Sequence, residues 1–324
     1  MRLRTLPALA AALAAAPLAG CAAGPAAAPK AGEAEASARY TFWRPAPVLD
    51  AQEPSDVVRT APAEAWRAID PDNLLVIYLK DGGRVLVELA TDFAPIHVAN
   101  VQAFARAGWW NKAGVYRVQD NYVAQWGNGD AKADLPSGVV AQPPHEYFRP
   151  LTGLNIRPLG FPDSYAPAAG HVNGWPVAYD PDAGRAWLTH CYATVGVGRG
   201  LAPDTGTGGE LYAVIGHAPR HLDRNIAVVG RVIEGIHLLS ARPRGTGNLG
   251  FYEDPGQAIP IVRARLASDM PEAERPRYEA MRSDHEAFSR YITGRANRGG
   301  EFFQVPAGGV DVCNAGVPVR KAGG

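Results

Sequence analysis

The chain has no excess of charge of either sign. Its 324 residues include 32 lysines and arginines and 32 aspartates and glutamates, which gives a formal net charge of +0. Proteins that bind nucleic acids usually carry a basic surface that pairs with the phosphates. The composition therefore gives no indication of a nucleic-acid partner, and none is predicted.

Long apolar runs are also lacking after the first twenty residues, so the sequence predicts no membrane-spanning helix there. The one long run follows Arg2 and Arg4 and is rich in alanine and leucine. A basic start, a short apolar core and small residues at its end are typical of a secretory signal. We predict a signal peptide over residues 1–20.

The end of this signal, Leu18-Ala19-Gly20-Cys21, resembles a bacterial lipobox. The resemblance implies that Cys21 is diacylated and becomes the new N-terminus, which anchors the chain to a membrane. The alternative is an ordinary signal cut near Ala22 or Ala23. Because alanine rather than aspartate follows Cys21, the resemblance implies a periplasmic protein held at the outer membrane rather than the inner one, if the organism has both.

Cysteine is scarce, with 3 in the whole chain. If Cys21 is lipidated, Cys191 and Cys313 remain, and an exported pair of this kind can form a disulfide. Two separate buried thiols fit the sequence as well, since nothing in it fixes the distance between them. No C-x-x-C motif occurs, so a thiol redox protein is not favoured.

Metal-binding patterns are missing too. The spacing of the histidines matches no motif such as H-E-x-x-H, and we interpret them as surface or hydrogen-bonded structural residues. Six of the 8 histidines lie at positions 97, 145, 190, 217, 221 and 237. Neither a metal nor any other cofactor is predicted.

Shifts in composition divide the rest of the chain. Residues 21–39 have no apolar period, which predicts a disordered tether, and residues 40–70 form an N-terminal extension with one or two helical turns over Ala63–Ile69. Residues 71–268 suffice for a single domain. A C-terminal helix is predicted over 269–298, followed by a mostly irregular tail over 299–324. The apolar face of that helix would carry Tyr278, Met281, His285, Phe288 and Ile292.

The domain begins with a predicted β-hairpin. Asn73–Leu79 and Arg84–Leu89 are apolar, β-branched runs, and the Asp-Gly pair between them favours a tight turn. A helix should follow with Pro95 in its first turn and end at Gly108.

Either Thr91 or Asp92 is predicted to cap the start of this helix, because both side chains can accept a hydrogen bond from the first free N–H groups. Val98, Val101 and Phe104 then recur at helical spacing.

The chain is organised around residues 115–130, V-Y-R-V-Q-D-N-Y-V-A-Q-W-G-N-G-D. Two short strands flank a turn at Asp120-Asn121, residues that tolerate turn geometry. The two strands place a cation, an aromatic ring, an aliphatic side chain and an amide close together. These are Arg117, Tyr122, Val123 and Gln125.

Two later stretches of the chain carry further motifs. Residues 204–215, D-T-G-T-G-G-E-L-Y-A-V-I, form a glycine-rich loop that leads into a strand. A phosphate-binding loop is not favoured, because no G-K-[ST] follows and no helix begins there. Residues 221–235 read H-L-D-R-N-I-A-V-V-G-R-V-I-E-G, and a short helix over 235–241 and a closing strand over 259–266 follow.

In this order the three stretches resemble the three signatures of the cyclophilins, the peptidyl-prolyl cis-trans isomerases. These read roughly F-H-R-V-I-x-x-F-M-I-Q-G-G-D, M-A-R-G-x-D-P-N-S-A-G-S-Q-F-F-I and W-L-D-G-K-H-V-V-F-G-K-V-V-E-G-M. The resemblance implies a mainly β fold, a closed antiparallel β-barrel with two flanking helices. Residues 131–189 have no counterpart and no clear period, and we predict a long loop insertion whose aromatic residues pack on the barrel.

The resemblance also implies the site. Arg117 and Gln125 would be the catalytic residues, because a guanidinium with fixed donors can stabilise the twisted amide of an Xaa-Pro bond. The remaining positions would bind substrate, a proline-containing peptide segment. They are Tyr122, Val123, Glu210, Tyr212, His221 and Leu222.

Several departures from the signatures bear on activity. Val123 is smaller than the family methionine, His221 replaces a tryptophan and Ile226 a histidine. Glu210 replaces a glutamine and could pair with Arg117. We therefore expect a monomeric isomerase of weak to moderate activity and low sensitivity to cyclosporin, which assists the folding of exported proteins in the cell envelope.

The alternative is a catalytically weak or inactive binding or chaperone module. It would keep the fold and the groove and use the insertion and the C-terminal helix to hold partners. Loss of activity in Arg117→Ala would favour the enzyme.

Overall fold

The computed structural model describes residues 48, 50–128 and 134–323. The predicted signal peptide, the tether, Cys21 and most of residues 40–49 lie outside the described residues. No helix within the described ranges is long and apolar enough to cross a bilayer.

The described chain is mainly β-structure with a few helices. The strands are β1 (Trp66–Ala68), β2 (Leu74–Leu79), β3 (Arg84–Leu89), β4 (Gly114–Val118), β5 (Val123–Gly127), β6 (Arg149–Pro150), β7 (Arg157–Pro158), β8 (Ala168–Val172), β9 (Trp175–Asp180), β10 (Arg185–Leu188), β11 (Thr194–Val197), β12 (Leu211–Val214), β13 (Val228–Glu234), β14 (Ile259–Leu266), β15 (Tyr278–Met281) and β16 (Val319–Lys321). The α-helices are α1 (Pro54–Thr60), α2 (Pro95–Arg106), α3 (Ile236–Ser240) and α4 (Glu286–Ala296).

Eight antiparallel strands close into a barrel in the order β11-β12-β5-β4-β14-β2-β3-β13, with β13 pairing back to β11. The predicted hairpin is present, since β2 and β3 pair from Leu74↔Glu88 to Tyr78↔Arg84. Alternate side chains of the strands fill the barrel and join residues of α2 and α3 in one apolar core. The predicted mainly β, closed antiparallel barrel with flanking helices is confirmed.

Helix α2 begins at Pro95 and is followed by Gly108 in the left-handed region at φ 66°, as predicted. The predicted cap is wrong, because the N-cap residue is Ala94 and neither Thr91 nor Asp92 caps the helix. Instead the carboxylate of Glu146 accepts hydrogen bonds from the N–H groups of Ile96 and His97, both at 2.9 Å. A distant segment thus supplies the negative charge that a helix N-terminus favours.

The insertion is not a loop, which corrects the prediction. Strands β6 to β10 form a five-stranded antiparallel sheet in the order β6-β10-β9-β8-β7. Trp175 and Val177 of this sheet pack against Phe93 and Val228 of the barrel region. The strands have two to six residues, and prolines and glycines separate them, so no period was visible in the sequence.

The C-terminal helix is shorter than the predicted 269–298 and spans only Glu286–Ala296. Tyr278 and Met281, assigned to its apolar face, lie in β15, which pairs with β1 on one side and β16 on the other. The predicted helical turns over Ala63–Ile69 are a 3-10 turn followed by β1. Such pairing joins residues far apart in sequence, so the local pattern did not indicate it.

Helix α4 packs on the N-terminal extension. Val57 of α1 lies in one buried cluster with Phe288 and Tyr291 of α4. The extension and the C-terminal region therefore share a core of their own beside the barrel.

Glu88 links the extension to the barrel. Its carboxylate accepts from Arg67 of β1 at 2.6 Å and from Arg231 of β13 at 2.7 Å. Burial on its own would raise the pKa of Glu88, but the charges of Arg231 and Arg67 outweigh it and hold the pKa below its ordinary value. The carboxylate is therefore a buried anion between two cations.

Cys191 and Cys313 are joined in a disulfide, with their Cα atoms 5.0 Å apart. The bond connects the segment before β11 to the C-terminal tail. The tail, predicted as mostly irregular, is thus held at Cys313 and ends in β16.

Candidate active site

Arg117, Gln125 and Tyr212 lie in one row on the outer face of the barrel. Arg117 of β4 pairs in register with Gln125 of β5, and Gln125 pairs with Tyr212 of β12. Register partners project to the same face of a sheet. Their neighbours Ala124 and Trp126 point the other way, into the barrel core.

The guanidinium of Arg117 is held by three oxygens. It donates to the side-chain oxygen of Gln125 at 3.0 Å, to that of Gln119 at 2.5 Å and to the carbonyl of Leu249 at 2.7 Å. The ring of Phe251 lies 5.3 Å below it. Burial lowers the pKa of Arg117. Because the ordinary pKa of arginine lies far above neutral pH, the guanidinium remains a cation. Its plane is therefore fixed before any ligand arrives.

Gln125 is oriented by a second hydrogen bond. Its amide nitrogen donates to the hydroxyl of Tyr116 at 2.7 Å, and that hydroxyl donates to the carboxylate of Glu210. Burial and the charge of Glu210 raise the pKa of Tyr116 far above its ordinary value, so the phenol stays protonated. Glu210 thus influences the orientation of Arg117 through Tyr116 and Gln125.

The structure connects Glu210 to Arg117 by an indirect route. Its carboxylate accepts from the hydroxyl of Tyr116, and Tyr116 and Gln125 lie between the carboxylate and the guanidinium.

An apolar pocket wall stands beside Arg117. Val123, Tyr212 and Val214 are buried in one cluster, and three partly buried side chains pack against it. These are Tyr122, Leu222 and Ile226. The ring of His221 stacks on Tyr122 at 6.1 Å with an interplanar angle of 7°. The structure therefore brings together all the side chains that the sequence assigned to the site.

Sequence reasoning missed the residues behind the pocket. The hydroxyl of Tyr212 lies 3.0 Å from Nε2 of His190, and Nδ1 of His190 lies 3.0 Å from the carboxylate of Asp223. Asp223 in turn accepts from Arg220 at 2.5 Å, and Arg220 donates to Asp163 of the insertion. Asp223 stood in the third motif, but no local signal singled out His190 or Asp163.

Burial alone would raise the pKa of Asp223, yet the hydrogen bond from His190 and the charge of Arg220 hold that pKa below its ordinary value. The group is a carboxylate at neutral pH, and it can accept from both neighbours.

The sequence also missed the segment beside Arg117. Leu249, at φ 55°, presents its carbonyl to the guanidinium, and Phe251 stacks on Tyr116 at 5.9 Å. Both side chains are more than a third exposed. No pattern in the sequence marked this segment, because it meets Arg117 through contacts between residues more than 130 positions apart, among them a bridge between Arg117 and Phe251.

Asp130, which matched the last position of the first motif, lies outside the described residues. In the parts of the chain that the structure covers, no group of three or more histidine, cysteine, aspartate or glutamate side chains could hold a metal ion. The arrangement offers a fixed cation and an amide beside an apolar pocket, which suits binding and polarisation of an amide.

Comparison with known proteins shows the family to which the chain belongs. Residues 74–266 match the family model described as cyclophilin type peptidyl-prolyl cis-trans isomerase/CLD. A probable peptidyl-prolyl cis-trans isomerase of Brucella suis is 41% identical over 204 residues, which cover 62% of this chain and 86% of that protein. One from Brucella abortus is 39% identical over the same length, with the same coverage.

A solved structure shows the same fold. The cyclophilin AquaCyp293 from Hirschia baltica matches with a TM-score of 0.61 and 24% identity, covering 79% of this chain and 94% of that one. At this identity the match supports the fold alone. The family model, however, spans more than half of the chain. The chain therefore belongs to the cyclophilin-type peptidyl-prolyl cis-trans isomerases.

Proposed function

We propose that this isomerase works in the cell envelope, on Xaa-Pro bonds of exported proteins, as a monomer held to a membrane by lipid on Cys21. The observation that carries the proposal is the disulfide between Cys191 and Cys313. Disulfides of this kind persist in oxidising compartments such as the bacterial periplasm and are rare in the cytosol. The signal-like start of the chain and its Leu18–Cys21 motif agree with the same route.

Catalysis begins with the pocket. The proline ring of the substrate lies against Tyr122, Val123, Tyr212 and Leu222, which removes its apolar surface from water. Binding there places the Xaa-Pro amide beside Arg117.

Arg117 acts on the amide itself. Rotation about an Xaa-Pro bond must cross a barrier of about 20 kcal/mol, which amide resonance causes. The twisted amide loses this resonance, and its nitrogen gains lone-pair character that a guanidinium N–H can stabilise. Because Gln125, Gln119 and Leu249 hold the guanidinium in place, no reorganisation is needed at that moment. No bond is broken and no proton is transferred, so the reaction requires no cofactor.

The state of Cys21 tests the envelope proposal. We would express the full chain in a Gram-negative host, separate the membranes and determine the N-terminal residue and its mass. A diacylglyceryl cysteine at position 21 in the membrane fraction is expected. Cys21→Ser should leave the membrane fraction, whereas Cys313→Ser, a matched control, should stay there. An unmodified N-terminus near Ala22 or Ala23 would contradict lipidation but not export.

The choice of membrane is tested by one further variant. Density separation should place the wild-type protein in the outer membrane, since Ala22 follows the lipidated cysteine. Ala22→Asp should move it to the inner membrane. Recovery of both proteins in the inner membrane would refute the outer-membrane assignment and leave the anchor intact.

A further inference from the structure

The ring of Tyr212 forms part of the pocket wall, and its phenol extends across the neighbouring strand β11. Gly196 of β11 is its register partner, and a Cβ added at Gly196 would lie 2.3 Å from the hydroxyl oxygen. The neighbouring strand therefore leaves room for this phenol, and the hydroxyl reaches His190 beyond it.

In the neutral form of His190, the contacts of the imidazole set the direction of its hydrogen bond to Tyr212. The carboxylate of Asp223 accepts the backbone N–H of His190 at 2.9 Å and faces Nδ1 at 3.0 Å. A carboxylate is an acceptor only, so Nδ1 carries the proton. In the neutral imidazole Nε2 is then the acceptor, and the hydroxyl of Tyr212 donates to it.

Asp223 is held in turn from the insertion. Arg220 donates Nε to Asp223 at 2.5 Å and its two terminal nitrogens to Asp163 at 2.9 and 3.0 Å. The side chains of all three residues are at most 4% exposed. Arg220 also directly precedes His221 and Leu222 of the pocket rim. A continuous series of buried hydrogen bonds thus connects a loop of the insertion to the wall and the rim of the pocket.

We propose that His190 is a positioning residue of this isomerase: through Nε2 it fixes the ring of Tyr212, with Asp223, Arg220 and Asp163 holding the imidazole. The proposal rests on the assignment of Tyr212 to the proline pocket. None of the four residues is hydrogen-bonded to Arg117 or Gln125. We call this series of hydrogen bonds, from Asp163 to Tyr212, the relay. It acts on substrate binding, since a pocket wall that is already ordered binds with a smaller loss of conformational freedom. The insertion is, on this view, a support for the active site.

Two substitutions at His190 separate its two contacts. In His190→Asn the amide nitrogen takes the place of Nδ1, so the bond to Asp223 remains while Tyr212 is out of reach. In His190→Gln the amide group takes the place of Nε2 and reaches Tyr212. Tyr212→Phe removes only the hydroxyl. His171→Asn is the matched control, because His171 is also buried but bonds to the carbonyl of Ala315 and packs on Phe288.

The measurement is kcat and KM for an Xaa-Pro peptide, with each variant of the full chain checked for folding by circular dichroism. Loss of one hydrogen bond corresponds to about a fivefold change, so His190→Asn and Tyr212→Phe should each raise KM about fivefold, with kcat changed less than about twofold. The double variant should be no worse than either single one, because both remove the same contact. His190→Gln and His171→Asn should keep the wild-type KM.

Equal KM values for His190→Asn and His190→Gln, or additive effects in the double variant, would overturn the proposal. If the His190 variants do not fold, Tyr212→Phe decides alone, and an unchanged KM refutes the relay. Tyr212→Ala separates the positioning role of His190 from the place of Tyr212 in the proline pocket. A raised KM in Tyr212→Ala with a normal Tyr212→Phe refutes only the positioning role. A normal KM in both shows that Tyr212 is not part of the pocket.

Discussion

Arg117 and Gln125 face each other across β4 and β5, and the guanidinium donates to the amide oxygen at 3.0 Å. The amide nitrogen of Gln125 is already used by Tyr116. The glutamine can therefore present only its oxygen to Arg117. This makes the orientation of the guanidinium depend on residues that never touch the substrate.

Replacing Arg117 tests the enzyme against the binding module. Loss of a fixed donor to a developing charge typically costs about 100-fold in rate, so we expect Arg117→Ala to lower kcat/KM for an Xaa-Pro peptide by about that factor. Arg290→Ala, which removes an exposed arginine of α4, should leave turnover unchanged. Equal turnover in Arg117→Ala and wild type would mean that Arg117 is not the catalytic group.

The hydroxyl of Tyr116 supports the pair formed by Arg117 and Gln125. Tyr116→Phe removes its bonds to Gln125 and Glu210 and frees the amide to rotate. A hydrogen bond contributes about 1 kcal/mol, so kcat should fall about fivefold. Tyr291→Phe removes a hydroxyl that bonds to the carbonyl of Gly316 and serves as the control. An unchanged kcat in Tyr116→Phe would show that Gln125 holds its orientation without this contact.

Gly196 leaves space for the phenol of Tyr212. In Gly196→Ala the new methyl group would meet the hydroxyl at 2.3 Å, so the ring must move. We expect weaker binding of proline peptides, measured by calorimetry, together with a lower melting temperature. At Gly316 a Cβ would meet no heavy atom within 4 Å, and Gly316→Ala should have neither effect. Normal peptide affinity in Gly196→Ala would show that the pocket tolerates a shifted ring.

Stability should depend on pH through Glu88. Its pKa is lower in the folded protein than in the unfolded chain because of Arg231 and Arg67. The unfolded state therefore binds the proton first on acidification, so the stabilisation is fully present above the unfolded pKa of about 4.3. It is lost as the pH falls through the lower folded pKa.

Urea unfolding of wild type and Glu88→Gln between pH 7 and pH 3 measures this contribution. Removing one partner of a buried ion pair costs about 3 kcal/mol, so the two proteins should differ by about that amount at pH 7 and converge in acid. A difference that stays constant over the whole range would contradict the assigned ionisation.

The disulfide should stabilise the fold. Cys191 and Cys313 are 122 residues apart, and closing so long a loop restricts the unfolded chain. We expect the double serine variant to lose about 2–4 kcal/mol of unfolding free energy, measured in urea. Below its melting temperature it should still isomerise Xaa-Pro peptides. Loss of activity in the folded variant would instead point to a redox role.

Much of the site could be predicted because its residues are close in sequence. Arg117, Tyr122, Val123 and Gln125 lie on two strands joined by one turn, so alternation and turn chemistry were enough to group them. Family resemblance added Tyr212 and Leu222 from two later motifs. The same family resemblance implied the closed barrel, whereas strong local signals predicted the hairpin over residues 74–89.

Other parts depended on contacts that no local pattern records. The insertion sheet pairs strands as short as two residues, and it packs on Phe93 and Val228. The helix predicted over residues 269–298 is wrong at β15. The partners of this strand, β1 and β16, come from distant parts of the chain, so the local pattern does not indicate their pairing. Glu146 caps α2 from about fifty residues away.

The sequence by itself determined the fold family, through its resemblance to known motifs, and grouped Arg117 and Gln125 beside the apolar wall, because local alternation and turns encode that grouping. The tertiary structure alone decided what holds these side chains in place. It showed that Glu210 acts through Tyr116, that Leu249 accepts from Arg117, and that His190 stands behind Tyr212. These are single contacts between residues far apart in sequence, and such contacts arise only when the barrel closes and the insertion packs against it.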